Sequence, residues 1–169
     1  MTGAERERQL VVFSLHGEYY GLPITSVSEI IRYVAPSATA TASGEIKGLI
    51  NLRGRTLPIA DLSGRLGGQL ETGRRTRILV VDVSNGSLGL IVDTVDGIIG
   101  VPAEQIEALP TVADTNLGEE VAVVGDRLIV VVDAERALGG LLPRRPARRS
   151  TTPARSRGSS SPRRKASET

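Results

Sequence analysis

The chain has 169 residues, no cysteine and a single histidine, which rules out disulfides, thiolate metal sites and cysteine nucleophiles and leaves little imidazole chemistry. Its formal charge of +2 divides sharply: residues 143–169 hold nine Lys and Arg against one Glu, so residues 1–142 keep twelve basic against eighteen acidic side chains. A basic pI is therefore no argument for nucleic-acid binding by the folded part, and no apolar run approaches the roughly 18–20 residues of a membrane span.

Residues 1–8 are charged and lack the apolar stretch of a signal peptide. The expectation is a soluble, cytoplasmic protein with a disordered N-terminus (1–8), one folded unit (9–142) and a disordered basic tail (143–169). Leu10 to Leu15 reads as a strand, turned by His16-Gly17-Glu18 into a second, Tyr19 to Leu22. Pro23 suits the first position of a helix, and Ile24, Val27, Ile30 and Ile31 at i, i+3, i+6 and i+7 give that helix an apolar face. On this reading Ile24 and Ile31 belong to the core, while Val27 and Ile30 are placed to face both core and partner. Ala35 to Gly44 is a connection of small residues without period.

Ile46 to Leu62 is the most structured stretch. Gly48 to Leu52 forms a buried strand, and Arg53-Gly54-Arg55 turns it tightly, with Gly54 free to take positive φ. Thr56 to Ile59 returns, and Pro58, with no N–H to donate, places this strand at an edge or a bulge. Asp61 caps a helical turn, Leu62 to Leu66, which Gly67-Gly68 end. Gln69 to Arg75 is polar linker. Ile78 to Val83 and Leu88 to Val92 form a hairpin across Asn85-Gly86. Val95 to Val101 is a strand bent at Gly97 and Gly100, Pro102 to Ile106 a helical turn, and Thr111 to Gly118 a loop. Glu120 to Val124 and Arg127 to Val132 make the last hairpin, and Asp133 caps a short helix, Ala134 to Leu138. Short strands with turns every eight to twelve residues imply a mainly β sandwich or barrel.

Laid out this way, the chain resembles the CheW family of chemotaxis coupling proteins over residues 9–139. Four blocks carry the resemblance: 18–22 with 27–30; 46–54 with 58–62; 88–93 through 103–106; and 125–133, the second containing the turn Asn51-Leu52-Arg53-Gly54. It implies two SH3-like five-stranded β-barrel subdomains packed together with a few short helices. It also implies a non-enzymatic adaptor without cofactor, linking the cytoplasmic tip of a chemoreceptor to the regulatory domain of a CheA-type histidine kinase. Members join into extended arrays, so self-association stays open. Val27, Glu29, Ile30 and Arg53 match positions tied in the family to partner contact, with the receptor tip in a groove between the barrels. Where the family has a proline and an apolar residue, this chain has Ser43-Gly44-Glu45, which implies a looser turn.

Each candidate has a plainer reading. Arg53 is either an interface cation or a turn residue that is solvated or paired with a carboxylate, and Glu29 is either a contact or a solvated charge. His16 lies in a turn with no nucleophile in view. Asp82, Asp93, Asp96, Asp126 and Asp133 sit at strand ends and turns, where aspartate is locally favoured, so no metal site is assigned. Residues 143–169, rich in Arg, Ser and Pro, cannot bury a core. They are a solvated counter-charge to the acidic body, a tether to an acidic partner or anionic lipid, or a nucleic-acid contact. The last two give the alternative function, a small β-barrel protein binding nucleic acid or another acidic partner through its basic tail. No nucleic acid is expected on the folded domain, whose only aromatics are Phe13, Tyr19, Tyr20 and Tyr33.

Overall fold

The computed structural model describes residues 7–38, 44–109 and 117–142. Among these residues eleven strands form two sheets, one of six strands and one of five. The chain opens with β1 (Glu7–Leu15) and β2 (Glu18–Pro23), joined by a two-residue turn in which His16 and Gly17 both have positive φ. It crosses to the other sheet for β3 (Val27–Arg32), β4 (Ile46–Leu52), β5 (Arg55–Ala60), β6 (Arg77–Val83) and β7 (Gly86–Val92). It then returns for β8 (Thr94–Pro102), β9 (Ile106–Ala108), β10 (Glu120–Val124) and β11 (Arg127–Val131), and ends in helix α1 (Ala134–Leu138). The sheet orders are β8-β1-β2-β11-β10-β9 and β3-β6-β7-β5-β4.

Each sheet is curled shut by one continuous piece of chain. In the first, the outer strands β8 and β9 are consecutive, separated only by a 3-10 turn at Ala103–Gln105. The sixth strand is thus the far half of a folded fifth, and five walls remain. In the second, the chain leaving β3 reaches Ser37, which bridges to Leu49 on the opposite outer strand: the Ser37 N–H donates to Leu49 O at 2.9 Å and the Leu49 N–H to Ser37 O at 3.0 Å. The result is two small barrels side by side, the mainly β architecture expected.

Alternation sets the core. Along β1, Leu10 and Val12 point into the first barrel, while Val11, Phe13 and Leu15 point at the second. Along β6, Ile78 and Val80 fill the second barrel, while Leu79 and Val81 face the first. Strands buried on both faces read as unbroken apolar runs. The layer shared by the barrels holds eighteen buried residues, against six inside each barrel, so the largest apolar reservoir belongs to neither barrel alone. Phe13 stacks on Tyr20 there with ring centroids 5.8 Å apart. Burial, and then the nearby Glu18 carboxylate, pushes the Tyr20 phenol above its usual range.

Two expectations about elements are corrected. Ile24 to Ile31 is not a helix: a 3-10 turn, Ile24–Ser26, leads straight into strand β3. Ile24 is accordingly exposed at 37% rather than core, whereas Ile31 packs against the second barrel's interior. Pro58 is not on an edge strand, since β5 runs between β4 and β7, but the β4–β5 register does shift close to it, between Ile46 and Gly48. Leu49, opposite Pro58, has spent its N–H and C=O on Ser37, so the pair needs no ladder bond from the proline. Parallel pairing with β7 begins only at Ile59, one residue later.

Smaller features follow the sequence more closely. Asp61 accepts the Ser63 N–H at 2.9 Å ahead of the 3-10 turn Gly64–Leu66, and Gly67 closes it at φ 81°. Asp133 caps α1, accepting the Arg136 N–H at 3.1 Å. Glu7 and Arg8, assigned to the N-terminal segment, are the first residues of β1. The linker reading of 35–44 and the loop reading of 111–118 fall partly, and the tail wholly, outside the described residues.

Candidate functional site

The β4–β5 hairpin is a two-residue turn in which Arg53 (φ 52°) and Gly54 (φ 83°) both adopt left-handed backbone, the geometry that matches strand twist. Arginine is not favoured there. The Asn51 side chain helps hold the turn by accepting the Gly54 N–H at 2.8 Å. The Arg53 side chain, 72% exposed, reaches across the barrel mouth to β3. Its guanidinium donates from Nη1 to Glu29 Oε2 at 2.9 Å and from Nη2 to Glu29 Oε1, a two-point clasp. The hydrogen bonds from Arg53, reinforced by its charge, hold the Glu29 carboxyl below the ordinary glutamate range, and Glu29 raises Arg53 in return.

A bulge makes this meeting possible. The β3–β6 register shifts between Val27 and Glu29, so Val27 lies opposite Val81 on the face toward the other barrel, and Glu29 opposite Val80 on the barrel side. Were Ser28 paired in regular register, Glu29 would share the face of Val27 and point the other way. The candidates therefore divide in two. Glu29 and Arg53 come together over a recess of about 110 Å³ with Leu52, Arg55 and Leu57. Val27, half-buried against the shared core, and Ile30, exposed at 41% and opposite Leu79, lie on the inter-barrel face. Arg53 satisfies its plainer reading as well, since it is both exposed and paired with a carboxylate.

The barrels leave two recesses where they meet. One of about 300 Å³ is lined by Arg75 and Arg77 from the second barrel and Thr94, Val95 and Asp96 from the first. The other, about 700 Å³, runs past Pro23, Ser26, Asp82, Val83 and the start of α1. At the open end of the first barrel the Arg127 guanidinium lies 4.3 Å from the centre of the Tyr19 ring and 3.4 Å from Asp96, beside a recess of about 470 Å³ with Val12, Ile99 and Ile129. These rims were not singled out from sequence because their members come from distant strands.

Glu45, just before β4, is held by both its backbone and its side chain. Glu45 accepts the Asp61 N–H on its carbonyl at 2.9 Å, and its carboxylate holds Arg65, Nε to Oε2 at 2.8 Å. Arg65 Nη1 also donates to the Ala137 carbonyl at 3.0 Å, tying α1 to the second barrel. The His16 N–H donates to Asp93 Oδ2 at 2.8 Å, and its ring lies so close over Gly68 that a Cβ there would come within 2.3 Å of it. Among the described residues no group of three or more His, Asp or Glu is placed to hold a metal ion, and no helix is long and apolar enough to cross a membrane.

Comparison with known proteins gives one consistent result. A family profile described as CheW-like domain matches residues 9–141. The chemotaxis protein CheW of Klebsiella aerogenes is 31% identical over 142 residues, 82% of this chain and 86% of that protein. CheW of Bacillus subtilis is 31% identical over 134 residues, covering 77% and 86%. The crystal structure of the scaffolding protein TtCheW from Thermoanaerobacter tengcongensis superposes with a TM-score of 0.69 at 36% identity, covering 75% of this chain and 88% of that one.

Proposed function

Since the chain belongs to the CheW-like domain family, and is thereby a non-enzymatic chemotaxis scaffold, we propose that it couples the cytoplasmic tip of a chemoreceptor to the regulatory domain of a CheA-type histidine kinase in the cytoplasm. The work is geometric. A rigid pair of barrels offers separate surfaces, so that packing at one partner is felt at the other without a chemical step. The observation that carries the reading is the exposed Arg53–Glu29 clasp over an open recess, with exposed Ile30 beside it on the same bulged strand.

In this arrangement Arg53 is pre-oriented by Glu29, so little side-chain entropy is lost when a partner carboxylate or carbonyl takes up its remaining donors. Ile30 supplies apolar contact, and Val27, already half-buried, sets the height of the strand beneath it. The acidic body gives the folded part no attraction for nucleic acid, and the family match favours the scaffold role over the tail alternative.

The test is capture of kinase regulatory domain and receptor tip by wild type, by Arg53→Glu, and by the swapped pair Glu29→Arg with Arg53→Glu. Wild type captures both. Arg53→Glu loses at least about ten-fold for one of them, the scale of a hot-spot arginine. The swap restores the intramolecular pair but not the capture. Undiminished capture by Arg53→Glu removes Arg53 from the interface, and no capture by wild type removes the coupling role.

A further inference from the structure

The 700 Å³ groove between the barrels carries a marked negative charge. Among the described residues that line it, Asp82, Glu119, Glu120, Asp133 and Glu135 face one cation, Arg8. Some of this charge is already engaged: Arg8 pairs with Glu120 at 2.7 Å, and Arg136 with Glu119. The groove stays net acidic, over a floor that includes Val83, Val131 and Ala134.

The chain itself carries complementary charge just beyond this place. Leu142, the last described residue, is buried in the shared core and lies over Gly86, next to the groove wall at Asp82 and Val83. Glu135 fastens the same wall by accepting from the Ser84 N–H and from Ser84 Oγ at 3.2 Å. Arg144, Arg145, Arg148 and Arg149 follow at once. At roughly 3.3–3.6 Å per extended residue, residues 143–149 reach at most about 23–25 Å from Leu142, which itself lies beside the groove wall. We propose that this segment, residues 144–149, lies in the acidic groove of its own chain. A short tether keeps its effective concentration in the millimolar range, so weak individual ion pairs suffice. Any partner that enters the groove must displace it.

The absence of cysteine makes the test direct, because Ser150→Cys in the full chain creates a unique labelling site. With a nitroxide there, amide signals of Val83, Val131 and Ala134 broaden at about 0.01 M salt and recover at about 1 M, where the screening length falls from roughly 30 Å to 3 Å. Replacing two exposed wall charges, Asp82→Asn with Glu119→Gln, reduces the broadening by at least about two-fold, the low end for two surface ion pairs; the unchanged pattern of remaining signals shows that the fold is kept. The proposal is overturned by broadening centred on β3 and the Arg53 turn, by broadening indifferent to salt or to the two substitutions, or by broadening that appears only between molecules when labelled and isotope-enriched chains are mixed.

Discussion

Replacing Gly48 by alanine opens the second barrel at its seam. Gly48 has φ 151°, and a Cβ built on it lies 2.2 Å from the Ser37 carbonyl oxygen and 2.7 Å from its carbon. Neither can yield without breaking the Ser37–Leu49 bridge. The strained backbone costs about 1–3 kcal/mol and the overpacking about 1–3 kcal/mol more, so the substitution removes about 2–6 kcal/mol from a total that in small domains is about 5–15 kcal/mol. Gly54 is the internal control: its φ is also positive, at 83°, but nothing lies within 4 Å of its Cβ position. Alanine there carries only the backbone cost, about 1–2 kcal/mol. Urea unfolding read by circular dichroism gives both values by linear extrapolation, and hydrogen exchange locates the damage, with the Ser37 and Leu49 amides losing protection first. Equal losses for the two variants, with those amides still protected, refute the account of barrel closure.

Two further outcomes follow from the charged contacts. Because Arg53 lowers the Glu29 pKa, the clasp contributes at neutral pH and is lost only as pH falls through that lowered value; a side-chain carboxyl titration by NMR shows a midpoint below the ordinary glutamate value of about 4.3, returning toward it in Arg53→Gln, and identical midpoints count against the clasp. Arg65→Met strands Glu45 and a carbonyl at the end of α1, costing about 1–3 kcal/mol and lowering the melting temperature by about 3–10 °C; adding Glu45→Gln costs less than its separate effect, and strict additivity argues against a shared contact.

The hairpins were legible because their information is local. His16-Gly17 and Arg53-Gly54 are themselves the reversals between apolar runs, and Asn85-Gly86 declares a third whose two turn residues are Ser84 and Asn85, one position earlier than expected. The strand β3 was not, and the reason is physical: the extra residue at Ser28 shifts the alternation by one, so Val27 and Ile31 point to opposite faces while keeping a spacing of four, and Ile30 falls where a helix would put a third apolar residue. A bulged strand imitates helical periodicity. Pro58 was half legible: the β4–β5 register does shift beside it, but the strand is not an edge, and a distant residue, Ser37, takes the Leu49 bonds that would otherwise have required a donor. For the site, Glu29 and Arg53 were each visible as residue types, but their pairing is a product of the bulge and the turn together. The acidic groove left no trace in sequence, because its carboxylates are spread from residue 82 to 135.

The order of strands also fixes an order of assembly. The second barrel is built from one uninterrupted stretch, 27–92, whereas the first takes its opening hairpin from before that stretch and the rest from after it. On a ribosome, β1 and β2 emerge first and can pair only with each other, since both their outer neighbours are still unmade. The later barrel in sequence position is thus the earlier one to mature, and the N-terminal hairpin must wait with its apolar faces uncovered until β8 and β11 arrive, which marks it as the segment most in need of protection during synthesis.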